Sequence, residues 1–349
     1  MRKKTARISQ KNKTGKGDKE RLSTRDKLVN KYYSTLMAAE RVADKDYFFK
    51  MDDKAGRVHT SLSNLKKELR NFLTYDGKRL VEVDIKNSQP FFSLALFNKA
   101  FFSSEGKMRR KNLDTNSISY SNNIMEYLQR VDTISFKGMS LQHVFQHTLY
   151  EGLHQTSSLV MVYSMIEEIV SKDISHYREI VLEGIYEHLL VKYIENTGRV
   201  DMDRNDMKKV MFTILFSMNE EGGKTDESFK DMKIRQQREM AKDTFRSCFP
   251  KVMEVFEFFK EDNYRLLACL LQSIEAHVVL DKICGRIKRE RPGTPIFTLH
   301  DSIMTTVGNE TYLKQIIKEE CLKHIGVKPS LDVNLLHPDN LIMPQRLAA

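Results

Sequence analysis

The stretch that decides the fold is PIFTLHDSIMTT, residues 295–306: an apolar run, then His300 and Asp301, then a second apolar run. Two short strands turning at His300-Asp301 account for the pattern. Asp301 needs a reason to be there, because an ionised carboxylate is costly to bury unless it is paired or holds a cation. It either caps a turn where a strand ends or lines a site. The hairpin alone does not separate the two readings, so the rest of the chain must.

Asp84 repeats the oddity. RLVEVDI (79–85) alternates as a strand does, and IKNSQP (85–90) follows it, with Pro90 suited to a first helical turn. Taken singly, each Asp reads best as a turn cap. Taken together, two strand-end carboxylates converge if their strands are neighbours in one sheet. Close carboxylates repel unless a cation lies between them, and Mg²⁺ suits such an oxygen-only pair when phosphates complete its shell. Two such ions about 4 Å apart activate an attacking oxygen and stabilise a leaving one.

The segment RNDMKKVMFTILFS (204–217) tilts the balance towards a site. Arg204, Lys208, Phe212 and Phe216 recur at steps of four and so form one stripe on a helix. Two cations followed by two aromatics make a poor core stripe. They make a good face for a nucleotide, with the cations on a triphosphate and the aromatics on sugar and base. An amphipathic helix with snorkelling Arg and Lys is the competing reading. Lys209 points off the stripe, towards solvent.

Composition agrees with a polyanionic partner. The 349 residues carry 57 Lys and Arg against 47 Asp and Glu, a formal charge of +10. Four scattered cysteines without a CxxC pair point to a reducing compartment and away from structural zinc. No apolar stretch is long enough to span a bilayer, and the basic N-terminus lacks the apolar core of a secretory signal. The expectation is a cytoplasmic, nucleic-acid-handling protein with no membrane contact.

Along the chain, residues 1–25 read as a flexible basic arm and 26–54 as a helical segment reaching about Phe49. FFSLALFNKAFF (91–102), NNIMEYLQRV, SSLVMVYSMIEEIV, YREIVLEGIYEHLLVKYIE, QREMAKDTFRSCFPKVMEVFEFF and YLKQIIKEECLKHIG read as helices, and LDVNLL as a last strand. The glycines of NEEGGK stop the helix that starts at Arg204. The fold class is therefore α+β: a small antiparallel sheet buried under many helices. The methionines and most phenylalanines read as core.

At this point the residues resemble a known family, the A family of DNA polymerases, together with the related single-subunit phage-type RNA polymerases. VEVDIKNSQP resembles motif A, RNDMKKVMFTILFS motif B (R-x3-K-x3-F-x3-Y-G) and TLHDSI motif C, in the family's order. AGRVHTSLSNLKKELRNF is similar to the family's minor-groove segment, AKDTFRSCFPKVMEVFEFF to its Y-F-x-x-Y-P helix, and LLQSIEAHVVL to its I-Q-G-T-A-A-D-I segment. The resemblance runs with interruptions from about Ala55 to Asn334.

It implies a polymerase palm with mostly helical fingers, and a thumb reduced or replaced. Residues 55–114 would be a first palm part carrying motif A, 115–250 a helical insert and the fingers with motif B, and 251–349 a second palm part with motif C. Catalysis would rest on Asp84, Asp301 and Lys208, with two Mg²⁺ held by Asp84 and Asp301. Arg204, Lys208, Phe212, Phe216 and Gln89 would bind the nucleoside triphosphate. Arg57, Asn64, Gln272 and His300 would touch primer-template. An accessory replication protein is a further partner, through the 115–200 insert. Ser302 would only fill space, and Glu275 reads as a helix-surface charge without a role.

The departures bear on sugar choice. The family's Glu five residues after the motif A Asp is Gln89 here, and the closing Tyr-Gly of motif B is Phe216-Ser217. Phe212 leans towards deoxynucleotides; the missing Glu and the HDS triplet lean towards ribonucleotides. Few residues precede Ala55, too few for a proofreading exonuclease. The resemblance thus implies a template-directed DNA polymerase, with an RNA polymerase or primase-like enzyme, or a non-catalytic nucleic-acid-binding relative, as alternatives.

Overall fold

A computed structural model describes residues 24–52, 55–98, 135–136, 139–140, 173–200, 202–219, 229–260 and 264–341. The arm at 1–23, NNIMEYLQRV, SSLVMVYSMIEEIV and nearly all of 99–172 lie outside the described residues, as does most of NEEGGK.

One sheet organises the rest. β4 (Lys78–Ile85) is its hub, after β1 (Phe49–Met51), β2 (Val58–Thr60) and β3 (Thr74–Tyr75). β5 (Ser135–Phe136) and β6 (Met139–Ser140) form a separate two-residue ladder. β7 (Ile296–Leu299), β8 (Ser302–Thr306) and β9 (Leu331–Leu335) join β4 in an antiparallel sheet. β4 pairs with β8 in the register Leu80↔Thr306 to Asp84↔Ser302. On its other edge it pairs with β9, from Val81↔Leu335 to Ile85↔Leu331. Among the described residues twelve α-helices accompany the strands: α1 (Thr24–Ala43), α2 (Ser61–Asn64), α3 (Lys67–Arg70), α4 (Ser88–Ser93), α5 (Ile174–Glu183), α6 (Ile185–Thr197), α7 (Arg204–Phe216), α8 (Phe229–Cys248), α9 (Pro250–Lys260), α10 (Arg265–Ala276), α11 (Gly285–Glu290) and α12 (Glu310–Ile325).

Alternation explains the two faces of β4. Val83 and Ile85 point into the main core with Ile303, while Leu80 points to the other side, into a smaller cluster with Leu299, Met304 and Leu336. The main core is helical and aromatic. Tyr177 packs with Phe245, Phe249 and Phe256 at centroid distances of 6.0, 5.2 and 6.1 Å, and all four are buried. Each such ring contributes about 1.5–3 kcal/mol by leaving water.

Four expectations on described residues are corrected. The N-terminal helix stops at Ala43: Lys45 takes φ 57°, and the aromatic run that follows enters β1 at Phe49. FFSLALFNKAFF is no long helix, since α4 passes at Leu94 into a 3₁₀ turn that ends at Phe97. YREIVLEGIYEHLLVKYIE breaks into α5 and α6 at Gly184, where a β-carbon would meet Glu187 Oε2 at 2.8 Å. Glu275 is not on a surface; it is 1% exposed.

Candidate active site

The hairpin β7–β8 closes through two residues, His300 and Asp301, since Leu299 pairs with Ser302. His300 takes φ 55°, a left-handed conformation that costs a side-chain-bearing residue about 1–2 kcal/mol. Strain of this kind collects where a turn must aim side chains. Across the ladder Asp84 faces Ser302, so Asp84 and Asp301 come to the same end of adjacent strands. Past β4, Asn87 takes φ 52° and turns the chain into α4, anchored by its side-chain amide donating to the Val181 carbonyl at 3.2 Å. Asn tolerates this backbone region better than most residues.

The opposite wall is α7. Asp203 caps it: the Asp206 amide donates to Asp203 Oδ1 at 2.8 Å and the Asp203 amide to Asp206 Oδ2 at 3.3 Å. Its buried face is Met207, Val210, Met211, Ile214 and Leu215. That leaves Arg204, Lys208, Phe212 and Phe216 for the other face, and all four line one cleft of about 310 Å³ with Asp84 and Asp301. Phe212 and Phe216 stack at 5.5 Å, and Lys208 Nζ lies 5.7 Å from the Phe212 ring. Lys209 turns away and donates to Asp206 Oδ1 at 2.7 Å.

Electrostatics mark the carboxylate end. Burial, then the nearby Asp301, Glu82 and Asp332, push the Asp84 carboxyl up to about 7, while Lys208 pulls the other way. Burial likewise drives the Tyr186 hydroxyl up to about 12, partly opposed by Arg204. Arg204 sits over the Tyr186 ring at 5.1 Å and donates from Nε to Glu187 at 2.6 Å.

Of the residues singled out in the sequence, Asp84, Asp301, Arg204, Lys208, Phe212 and Phe216 meet in this cleft, joined by Gln89, Arg57, Gln272 and His300. Asn64 is not brought there. It ends α2, exposed. Ser302 does more than fill space, since its hydroxyl donates to Glu82 Oε1 at 2.8 Å.

Sequence reasoning missed three residues. Glu275 accepts from Arg57 at 2.8 Å and from the Gln89 amide at 2.6 Å, tying two cleft walls together from beneath. Burial, against the pull of Arg57, holds its carboxyl up at about 7. Tyr186, which reads as a core residue of a helix, carries Arg204. Asp332, on β9, faces Asp84 across the ladder and pairs with Lys86 at 2.8 Å. Only Glu275 left a signal: a lone acid in the apolar run of α10.

Several buried polar atoms here lack a partner, namely Arg57 Nε, Gln89 Oε1, Glu275 Oε1 and His300 Nδ1. Orphaned groups so close together suit a site that is completed by a ligand. Among the described residues, no group of three or more His, Cys, Asp and Glu could hold a metal by itself. The donor set of Asp84 and Asp301 still fits Mg²⁺, which typically takes one or two carboxylates and fills its shell with water and substrate phosphates.

No family model matches the sequence, and the comparison with curated proteins finds no match. Among solved structures, the chain is similar to the POL domain of Pol1 from M. smegmatis in complex with DNA primer-template and dNTP. The identity is 12% and the TM-score 0.30, over 83% of this chain and 47% of that one. The chain thus spans about half the length of that relative, in a likeness too distant to establish a shared fold. Among the described residues no helix is long and apolar enough to cross a membrane.

Proposed function

We propose that the chain is a nucleotidyltransferase, a compact template-directed DNA polymerase of the kind its motifs resemble. One observation carries the reading: two strand-end carboxylates and an Arg-Lys-Phe-Phe helix stripe, distant in sequence, line one cleft. In this reading a primer 3′-hydroxyl attacks the α-phosphate of a nucleoside triphosphate and pyrophosphate leaves. Arg204 and Lys208 hold the triphosphate by charge-assisted hydrogen bonds, and Lys208 gives a proton to the leaving pyrophosphate. Phe212 and Phe216 form the platform for sugar and base. Arg57, Gln272 and His300 border the cleft where primer-template would lie, and Glu275 fixes Arg57 and Gln89. Asp84 and Asp301 would hold two Mg²⁺, which supply activation of the attacking hydroxyl and neutralisation of the leaving group.

A second reading, ribonucleotide addition, is favoured by Gln89. Its NH₂ is committed to Glu275 while its Oε1, buried, has no donor. A sugar hydroxyl is a natural donor for that oxygen.

Primer extension on a defined template with Mg²⁺, offering dNTPs and rNTPs separately, tests both. Template-matched addition is expected from the wild type, with a loss of about a thousandfold or more in Asp301→Ala. Addition that survives the substitution would sink the two-carboxylate reading. The preferred sugar separates the DNA from the RNA enzyme.

A further inference from the structure

Arg204 stands at the first position of α7, where a side chain leaning towards the helix N-terminus has no preceding turn to lie against. An arginine left loose there would lose much rotamer freedom each time it gripped a ligand. The neighbouring helix α6 supplies the missing support. Tyr186, 3% exposed and bordering the cleft, lays its ring under the guanidinium at 5.1 Å. Glu187, the next residue, accepts from Arg204 Nε at 2.6 Å.

An exposed Arg–Glu pair by itself is worth little for stability, and both side chains here are more than half exposed. Two features set this pair apart. The first is that the carboxylate is seated. Glu187 Oε2 lies 2.8 Å from where a β-carbon at residue 184 would stand, so Gly184 makes room for it. Glu187 also sits in the first turn of α6, where the helix dipole favours a carboxylate. The second is that the bond is made through Nε. With one face on the Tyr186 ring and Nε on Glu187, the terminal amino groups remain as the donors for a second anion. Those are the donors that fork onto a phosphate.

A carboxylate beside a phosphate site also repels the ligand, so two effects oppose. Repulsion between exposed charges several ångströms apart is damped by water and salt. The rotamer freedom of arginine is among the largest of any side chain, so holding it in place outweighs that repulsion.

We propose that Glu187 is a positioning residue: with Tyr186 it holds the Arg204 guanidinium so that its terminal amino groups grip the phosphates of a nucleoside triphosphate in the cleft. This deepens the polymerase reading and rests on it for the identity of the ligand, so phosphate binding is measured apart from nucleotide addition. The probe is inorganic tripolyphosphate in the presence of Mg²⁺, titrated calorimetrically into the full-length chain. Arg204→Ala is expected to weaken binding about tenfold or more, and Glu187→Ala about fivefold. Glu187→Gln keeps an acceptor for Nε and is expected to recover most of that loss. Adding Glu187→Ala to Arg204→Ala is expected to cost nothing further, because Glu187 acts through that side chain. Melting curves confirm that each variant is folded.

Unchanged affinity in a folded Glu187→Ala overturns the proposal. Tighter binding overturns it too, and would make the pair a latch that competes with phosphate. So does a double variant that loses affinity by both factors multiplied, since Glu187 would then act without Arg204. Asp301-dependent nucleotide addition with tripolyphosphate affinity unchanged in Glu187→Ala sinks the positioning role alone. A wild type that neither binds tripolyphosphate nor adds nucleotides sinks the polymerase reading, and this role with it.

Discussion

Two pairs of cations attend the helix Arg204–Phe216, and the molecule uses them in opposite ways. Behind the C-terminal end of α7, Lys242 and Lys260 are buried and committed to backbone. Lys242 Nζ donates to the carbonyls of Met218 and Asn219 at 2.7 and 3.1 Å and to Glu239 at 2.9 Å. Lys260 Nζ donates to the Ile214 carbonyl at 2.7 Å. The Ile214 carbonyl is one of those the helix end leaves without a partner, at the negative pole of its dipole, and those of Met218 and Asn219 belong to the turn just past it. On the cleft face, Arg204 and Lys208 are exposed, and Lys208 meets the Phe212 ring and the field of Asp84. Under the proposed function the contrast would separate structural charge from functional charge. A cation whose donors are all spent on carbonyls holds the helix; Arg204 spends its Nε on Glu187, and Lys208 stands beside Asp84 and open space, where the proposed function would bring an anion.

The largest effect expected from breaking this contrast is on Lys208. Lys208→Ala should lower the rate of nucleotide addition about a hundredfold, the scale of a lost proton donor, with little change in thermal stability. The check is kcat and KM for the triphosphate beside a melting curve. A rise in KM alone would reduce Lys208 to a phosphate anchor, and a drop in melting temperature would return it to the structural class.

How far the sequence foretold this follows from what each residue partners. Asp84 and Asp301 were legible because each interrupts a period-two apolar strand. The α7 stripe was legible because its spacing of four fixes one helix face whatever surrounds it. Glu275 was read as a surface charge, since its partner Arg57 lies 218 residues away and only the fold brings them together. The buried lysines were invisible for another reason: their partners are carbonyls, which every residue has. Asn64 shows the converse, a matching motif position that the fold leaves outside the cleft. The helix expected through Phe49 erred because aromatics there serve the β1 edge and not a helix stripe.

The next effect concerns Glu275, a carboxylate treated as Lys242 is, buried and bonded, yet bordering the cleft. Its folded carboxyl titrates at about 7, against an ordinary 4.5. Between those values the folded chain holds a proton that the unfolded chain has released, so stability falls as pH rises from about 4.5 to 7. Glu275→Gln should flatten that part of the profile, by on the order of 2 kcal/mol across the window. The measurement is the urea midpoint of wild type and variant at intervals from pH 4 to 8. The slope contributed by Asp84, raised in the same sense, remains in both proteins and cancels in their difference. Parallel profiles would mean that Glu275 stays ionised against Arg57, its carboxylate fully offset by the guanidinium.

The smallest effect tests the other half of the comparison. Lys260→Met keeps the apolar stem and removes the ammonium, stranding the Ile214 carbonyl near the end of α7. An unsatisfied buried acceptor costs about 1–3 kcal/mol, and removing a buried charge gives part of that back, so a net loss of about 1 kcal/mol is expected. For a chain of this size that is a fall of about 2 °C in melting temperature. Nucleotide addition should change less than in Lys208→Ala, because Phe216, one turn from the freed end, shifts only as far as the loosened turn allows. If Lys260→Met instead slowed addition as much as Lys208→Ala at unchanged stability, the buried lysine would belong to the site, and burial would no longer tell the two kinds of charge apart.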